Sequence, residues 1–277
     1  MFQDIKPYEF HNQYHPRKPQ DDDYVMLYKE NQVLLIEDGA KSRVPQYHEI
    51  KKQYPELVSE LAYLLSVNDT AFYLTDQEVE ETEMFRYSGM FNFREMEPDW
   101  LAFTGATAFH LARWYDSHRY CGRCTARMVH KKDERALVCP ECKLEEYPKI
   151  APVVMVGIRD GEHLLLTKYA HAAYKRHALV AGFAEIGETL EEAVEREVME
   201  EVGLKLKNIS YYKSQPWAFS ESLLAGFFAD VDGSTEVVLD ENELAEAEWF
   251  LRTELPETVS TMSLTWDMIE AFRAGLV

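Results

Sequence analysis

Apolar and polar positions along this chain predict most of its elements. "YVMLY" (24–28), "QVLLIED" (32–38) and "AFYLT" (71–75) are short apolar runs between polar residues and read as strands. "LAFTGATAFHLARWYDSH" (101–118) has helical period, with Ala108, Leu111, Ala112 and Tyr115 on one face. From residue 151 the texture changes. "APVVMVGIRD" and "HLLLTKY" flank the turn residues Asp160 and Gly161, and "HALVAGF", "KNISYYKS", "LLAGFFADV" and "AEWFL" are further strand-like runs. One helix is predicted after "HALVAGF" and another over "SLTWDMIEAFRAG". Strands around one central helix, with a second near the end, indicate an α/β sandwich with a mixed sheet. The pattern divides the chain into an N-terminal α/β domain (1–115), a cysteine-bearing segment (116–150) and a C-terminal domain (151–277), α+β overall.

The central helix lies in "GETLEEAVEREVMEEVGL" (187–204), where Thr189 and Glu192 have capping-box spacing. Leu190, Ala193 and Val194 begin an inward stripe, but one heptad later the same positions are Glu197, Glu200 and Glu201. Three readings compete. A solvated face accounts for Glu191, Glu192 and Glu195, but not for acids that continue an apolar stripe beside Val198 and Val202. Salt bridging offers one pair, Arg196 with Glu200, worth about 0.2–0.5 kcal/mol when exposed. Against it, each like-charged pair about 6 Å apart costs roughly 3 kcal/mol at an effective dielectric of about 20. A divalent-cation site removes that cost, since Mg2+ and Mn2+ take carboxylate oxygens and this spacing sets three carboxylates within about 100° of helix arc.

Charge and cysteines sharpen the picture. The formal net charge is -20 and the pI is near 4.9, the wrong sign for long-range attraction of a nucleic-acid backbone. No apolar run approaches the roughly 18 residues of a membrane span, and the polar N-terminus lacks the apolar core of a secretory signal, so the expected location is cytoplasmic, without a membrane partner. All four cysteines fall in "CGRC" and "CPEC", fourteen residues apart. Cys121, Cys124, Cys139 and Cys142 thus predict a closed tetrahedral Zn2+ site, structural in role, one per chain. Residues 116–150 carry eight basic and six acidic side chains, which a zinc tetrathiolate brings to formal neutrality. That gives no electrostatic support for a nucleic-acid module. His118 and His130 read as surface histidines.

From Gly182, "GFAEIGETLEEAVEREVMEEVGL" resembles the Nudix box. That box is a glycine, five residues, a glutamate, seven residues, then Arg-Glu-apolar-x-Glu-Glu-x-Gly-apolar. Gly182, Glu188, Arg196, Glu197, Glu200, Glu201 and Gly203 occupy its fixed positions. The resemblance implies a Nudix α/β/α sandwich and Mg2+- or Mn2+-dependent hydrolysis of a nucleoside diphosphate linked to another group. It also implies a catalytic set of Glu188, Arg196, Glu197, Glu200 and Glu201, the last three as metal ligands or base. A zinc ribbon ahead of such a domain, and "SQPWAFSES" (214–222), are similar to the NADH pyrophosphatases, which carry Ser-Gln-Pro-Trp-Pro-Phe-Pro-x-Ser; this chain departs at Ala218 and Ser220.

That narrower resemblance covers about residues 90–277. It implies cleavage of NAD(H) to NMN(H) and AMP, and removal of NAD caps from RNA 5′ ends. It further implies metal contacts from Glu243 and the Ala181 carbonyl, and a nicotinamide held between Tyr147 and Phe183. Arg94, Glu134, Gln215, Pro216, Trp217, Ala218, Phe219, Ser220, Glu221 and Ser222 become substrate contacts, and a homodimer follows because Tyr147 and Glu134 act across it in that family. Two alternatives are hydrolysis of ADP-ribose or another dinucleotide, and an RNA-binding zinc-ribbon adaptor with a silent Nudix domain.

Overall fold

Strands form where the apolar runs place them, and the chain divides into two compact units, residues 3–149 and residues 1–2 with 150–277. The computed structural model describes all residues except 39–40, 60, 76, 172–175 and 258–261. Among the described residues no helix is long and apolar enough to cross a membrane.

The first unit contains β1 (Phe10–His11), β2 (Tyr24–Lys29), β3 (Gln32–Asp38), β4 (Lys41–Arg43), β5 (Ala62–Val67), β6 (Thr70–Thr75) and β7 (Phe85–Gly89) in the order β1-β5-β6-β2-β3-β4, with β7 also on β3. The β2–β6 pair is parallel and its neighbours antiparallel. A short helix α1 (Tyr47–Gln53) precedes β5, and the long helix α2 (Asp99–Ser117) buries Leu101, Phe109, Ala112 and Trp114. The zinc ribbon follows within this unit, as a three-stranded antiparallel sheet of β8 (Val129–His130), β9 (Leu137–Val138) and β10 (Glu145–Glu146).

The second unit is built on a mixed sheet of β11 (Ala151–Asp160), β12 (His163–Tyr169), β13 (Val180–Phe183), β14 (Leu206–Trp217), β15 (Ser222–Val231) and β16 (Leu244–Leu251). β11 lies parallel to β15; along its other edge β13 pairs with residues 153–156 and β12 with 159–160. The period-2 rule sorts its side chains. Val154, Val156 and Ile158 pack with Ala193, Val194, Val198 and Val202 of helix α3 (Leu190–Val202). Val153 and Met155 pack with Leu264, Met268, Ile269 and Phe272 of helix α4 (Leu264–Arg273). The sheet is therefore covered on both faces, an α/β/α sandwich. β14 runs three residues beyond the expected "KNISYYKS" end, through Trp217. Its Pro216 is tolerated because β14 is an edge strand.

Candidate active site

Helix α3 is closed at both ends by local chemistry. The Thr189 hydroxyl accepts from the Glu192 N–H (3.2 Å), and Glu192 Oε2 accepts from the Thr189 N–H (2.7 Å). Gly203 ends the helix at φ 69°, the left-handed conformation in which glycine has no steric penalty. This frame puts Ala193, Val194, Val198 and Val202 into the core and carries Glu197 and Glu201 inward with them.

Glu201 is 2% exposed, and neither carboxylate oxygen has a hydrogen-bond partner. Burial pushes its carboxyl up to about 8, helped by the neighbouring Glu243, Glu197 and Asp240 charges; the Ala181 N–H lies near but outside hydrogen-bonding geometry. Glu197 is also raised, by burial first, with Glu200 and Glu243 adding to it and Arg196 opposing. Gly182 on β13 makes room for Glu197: a Cβ there would stand 2.0 Å from the Glu197 Cδ.

Arg196 ties the loop before the helix to the acids on it. Nε and Nη2 donate to Glu188 (3.1 and 2.5 Å), Nη2 to the Phe183 carbonyl (2.9 Å), and Nη1 to Glu197 (2.8 Å) and Glu200 (3.0 Å). Salt bridging is thus wider than the single pair the spacing suggests. Glu188 also accepts from the Glu185 N–H (2.6 Å), so both its oxygens hold the loop.

Glu243 is exposed and reaches this cluster through backbone bonds. Val238 and Asp240 N–H groups donate to the carbonyls of Val202 and Glu201, both at 3.0 Å, and the Ala170 N–H donates to the Glu243 carbonyl (2.8 Å). Tyr169, at the end of β12, is a neighbour that sequence reasoning missed. Tyr169 is 37% exposed, and partial desolvation followed by the Glu201, Glu243 and Glu197 charges pushes its phenol up to about 12. Its only sequence signal is its place at the end of a strand.

The donor set fits a hard divalent cation: oxygen ligands, two of them buried and unpartnered, crowded by like charges. The carboxylates are splayed more widely than the ribbon thiols. Among the described residues, Cys121, Cys124, Cys139 and Cys142 form the one group of three or more such donors within 4.8 Å of one another. Each CxxC pair makes a knuckle. Arg123 and Cys142 N–H groups point at the sulfurs of Cys121 and Cys139 (3.4 Å each), and these amides lower both thiols, Cys139 to about 6. His118 bonds the Trp114 carbonyl and His130 packs on Tyr115, so neither joins the sulfurs.

In the second unit, the start of β11 is flanked by Phe183 of β13, opposite Val153, and by Ser222 of β15, opposite Ala151. Phe183 is 55% exposed. Trp217 and Phe219 pack together at 5.0 Å, and Ala218–Ser220 form a 3-10 turn ending at Glu221 (φ 55°). Pro216 is exposed, and the Ser220 and Ser222 hydroxyls are 2.8 Å apart. Gln215 is fully buried: its Nε2 donates to the Met262 carbonyl (2.8 Å) and its Oε1 accepts from the Leu264 N–H (2.7 Å). Those two bonds anchor the start of α4.

Arg94, Glu134 and Tyr147 belong to the first unit. Arg94 stands over the Phe91 ring (4.9 Å). The Tyr147 hydroxyl lies 3.2 Å from Glu134 and 3.1 Å from Glu145, and Lys131 bonds both acids.

Residues 149–269 match the NUDIX domain family, and residues 116–147 match the NADH pyrophosphatase zinc ribbon domain. The chain is 47% identical over 146 residues to the NAD-capped RNA hydrolase NudC of Escherichia coli O1:K1 / APEC, and equally to that of Escherichia coli strain SMS-3-5 / SECEC. The match covers 53% of this chain and 56% of each relative, so the chain spans about half the length of the curated relatives it matches. A NUDIX hydrolase structure from Nitrosomonas europaea aligns over 56% of this chain and 90% of its own, at 22% identity and a TM-score of 0.49. With Arg196, Glu197, Glu200 and Glu201 on α3 and the four thiols converging in the ribbon, residues 116–269 are similar to a zinc ribbon of the NADH pyrophosphatase type followed by a Nudix domain.

Proposed function

We propose that the protein hydrolyses the pyrophosphate of NAD(H), giving NMN(H) and AMP, and removes NAD caps from RNA 5′ ends by the same reaction. The observation that carries this reading is Glu201, a buried carboxylate with two unpartnered oxygens among Glu197, Glu243 and Asp240. An arrangement so costly when empty of positive charge suits a site that gathers cations around a diphosphate. Glu197, Glu200, Glu201 and Glu243, with the Ala181 carbonyl, would hold Mg2+ or Mn2+. When bound, such an ion offsets phosphate charge and makes water a better nucleophile.

The remaining roles fall to the chain. Arg196 fixes Glu197 and Glu200 against the 183–188 loop. Phe183 offers an exposed ring for a flat nicotinamide, and Trp217 and Phe219 form an aromatic wall at the end of β14. Tyr147 and Glu134 complete the substrate contacts from a second copy, which makes the active form a homodimer. The 47% identity to NudC supports this substrate class. Hydrolysis of ADP-ribose is a second reading, favoured by Ala218 and Ser220 standing where that family has prolines.

The test is incubation of the full chain with NADH, NAD, NAD-capped RNA and ADP-ribose plus Mn2+, with AMP or a 5′-monophosphate RNA end as readout. Glu201→Gln is expected to abolish turnover while retaining the folded circular-dichroism spectrum. A fully active variant removes Glu201 from the mechanism; turnover of ADP-ribose alone selects the second reading.

A further inference from the structure

Strand β12 turns one row of side chains toward α3. Leu165, Thr167 and Tyr169 stand opposite Trp249, Ala247 and Leu244 of β16, residues that pack in the same core as Val198 and Val202. The row grades outward: Leu165 and Thr167 are buried, and Tyr169 opens to solvent. The ladder slips at its outer end. Lys168 faces Glu246 and Tyr169 faces Leu244, so Ala245 is an extra residue in β16. That bulge sets Tyr169 one residue nearer Glu243 than an unbroken ladder would.

Main-chain bonds hold the arrangement. The Ala170 N–H donates to the Glu243 carbonyl (2.8 Å). Glu243 and Leu244 N–H groups donate to the Asp240 carbonyl (3.1 and 2.9 Å), and the Asp240 N–H donates to the Glu201 carbonyl (3.0 Å). A backbone path thus ties Tyr169 to Glu243 and on to Glu201. The phenol stands in the field of Glu201, Glu243 and Glu197, and its raised pKa keeps it protonated there.

The opposite side of the cluster is served by Arg196. A guanidinium has five N–H donors. All five are committed, to Glu188 twice, the Phe183 carbonyl, Glu197 and Glu200, which leaves none for Glu201 or Glu243. Lys168, the neighbour of Tyr169, is bonded to Glu246 (2.5 Å). Tyr169 therefore brings an uncharged donor to the side that Arg196 does not serve. The lack of charge matters: a second cationic side chain beside Glu201 would repel an incoming divalent ion, whereas a phenol orients a carboxylate without that repulsion.

We propose that Tyr169 is a positioning residue of the divalent-cation site, its O–H donating to Glu201 and so fixing which carboxylate oxygen faces the ion. The proposal rests on the pyrophosphatase reading, through the cation site which that reading needs. A phenol has one O–H, so the second Glu201 oxygen stays free to ligate. Removing a hydrogen-bond partner of a ligating side chain weakens metal binding by about 10–100-fold.

Tyr169→Phe keeps the ring and removes only the hydroxyl. Mn2+ binding is read by electron paramagnetic resonance on the full, zinc-loaded chain without substrate, with Glu201→Gln as the background. Tyr169→Phe should bind Mn2+ about tenfold or more weakly than the wild type, with a near-unchanged melting temperature in buffer without added divalent ions. In NADH hydrolysis the Mn2+ concentration for half-maximal rate should rise by the same factor, the deficit closing as Mn2+ is raised. Wild-type Mn2+ affinity in Tyr169→Phe overturns the proposal, whether or not the melting temperature falls. A rate deficit that persists at saturating Mn2+ with affinity intact overturns it too, and makes Tyr169 a substrate contact. A wild-type chain that binds Mn2+ no more tightly than Glu201→Gln removes the cation site itself, and the pyrophosphatase reading falls together with the proposal; binding shared equally by the wild type and Tyr169→Phe removes the proposal alone.

Discussion

Replacing Gly182 by alanine tests the site at its tightest contact. The new Cβ would fall 2.0 Å from the Glu197 Cδ and 2.1 and 2.2 Å from its oxygens. Ordinary contact begins at 3.4 Å, so the carboxylate must retreat by about 1.4 Å. It has little room, because Arg196 holds it at 2.8 Å and its side chain is only 12% exposed. Misplacing a reacting group by about 1 Å costs roughly 100-fold, equivalent to about 2.7 kcal/mol of transition-state stabilisation. The fold should suffer less. The core contacts of Ala193, Val194, Val198 and Val202 are untouched, and each 1 kcal/mol lost lowers Tm by about 2–4 °C in domains of 150–250 residues. The assay is kcat/KM for AMP release from NADH with Mn2+, alongside a circular-dichroism melt. Wild-type kcat/KM in the folded variant would refute the reasoning. A large Tm loss with activity per folded molecule intact would refute it too, placing the effect in packing and not in the site.

Three further outcomes follow from the same geometry. The Glu201 carboxyl is raised to about 8 from an unfolded value near 4.3, so the folded state binds its proton more tightly. Its stabilising contribution is full below pH about 4.3 and lost as pH rises to about 8. Without added divalent ions Tm should therefore fall between those values, Glu201→Gln should flatten the slope and Mn2+ should oppose the fall; an unchanged slope in the variant contradicts this. Gln215→Ala removes the partners of the Leu264 N–H and Met262 carbonyl, at a cost of about 1–3 kcal/mol, and should lower Tm with little change in KM for NADH. A tenfold KM increase at constant Tm would instead make Gln215 a substrate contact. Cys139→Ser should reduce zinc, measured by plasma mass spectrometry, from one per chain to none and lower Tm; unchanged zinc content would count against the ribbon assignment.

Local chemistry is what made parts of the molecule legible from sequence. Helix α3 announces itself through Thr189, Glu192 and Gly203, whose capping roles need no distant partner. The four thiols were equally readable, because each knuckle is closed by its own backbone amides. Features that depend on distant chain were hidden. α1 buries only Ile50, too little to raise a periodic signal. β5, "AYLLSV", turns at Asn68 (φ 49°), where no glycine marks the bend. Pro216 masked the end of β14, and only the sheet order shows that it stands on an edge. The structural bonds of Gln215 were hidden because its backbone partners lie 47 and 49 residues away. The Nudix spacing marked Gly182, but not the reason that position must lack a side chain.

The 232–243 segment meets the end of α3 through main-chain amides, while Val237 and Leu239 pack against the core beside it. Val238 and Asp240 take the last helical carbonyls, and the Val238 Cβ sits 3.0 Å from where a side chain on Gly203 would begin. Main-chain bonds are indifferent to side-chain identity but sensitive to length. Substitutions at Thr235 or Glu241 should therefore drift freely, whereas inserting or deleting one residue before Glu243 would carry that acid out of reach of Glu201. The segment behaves as a ruler: with Val237 and Leu239 seated in the core, its count of residues sets where the fourth carboxylate falls.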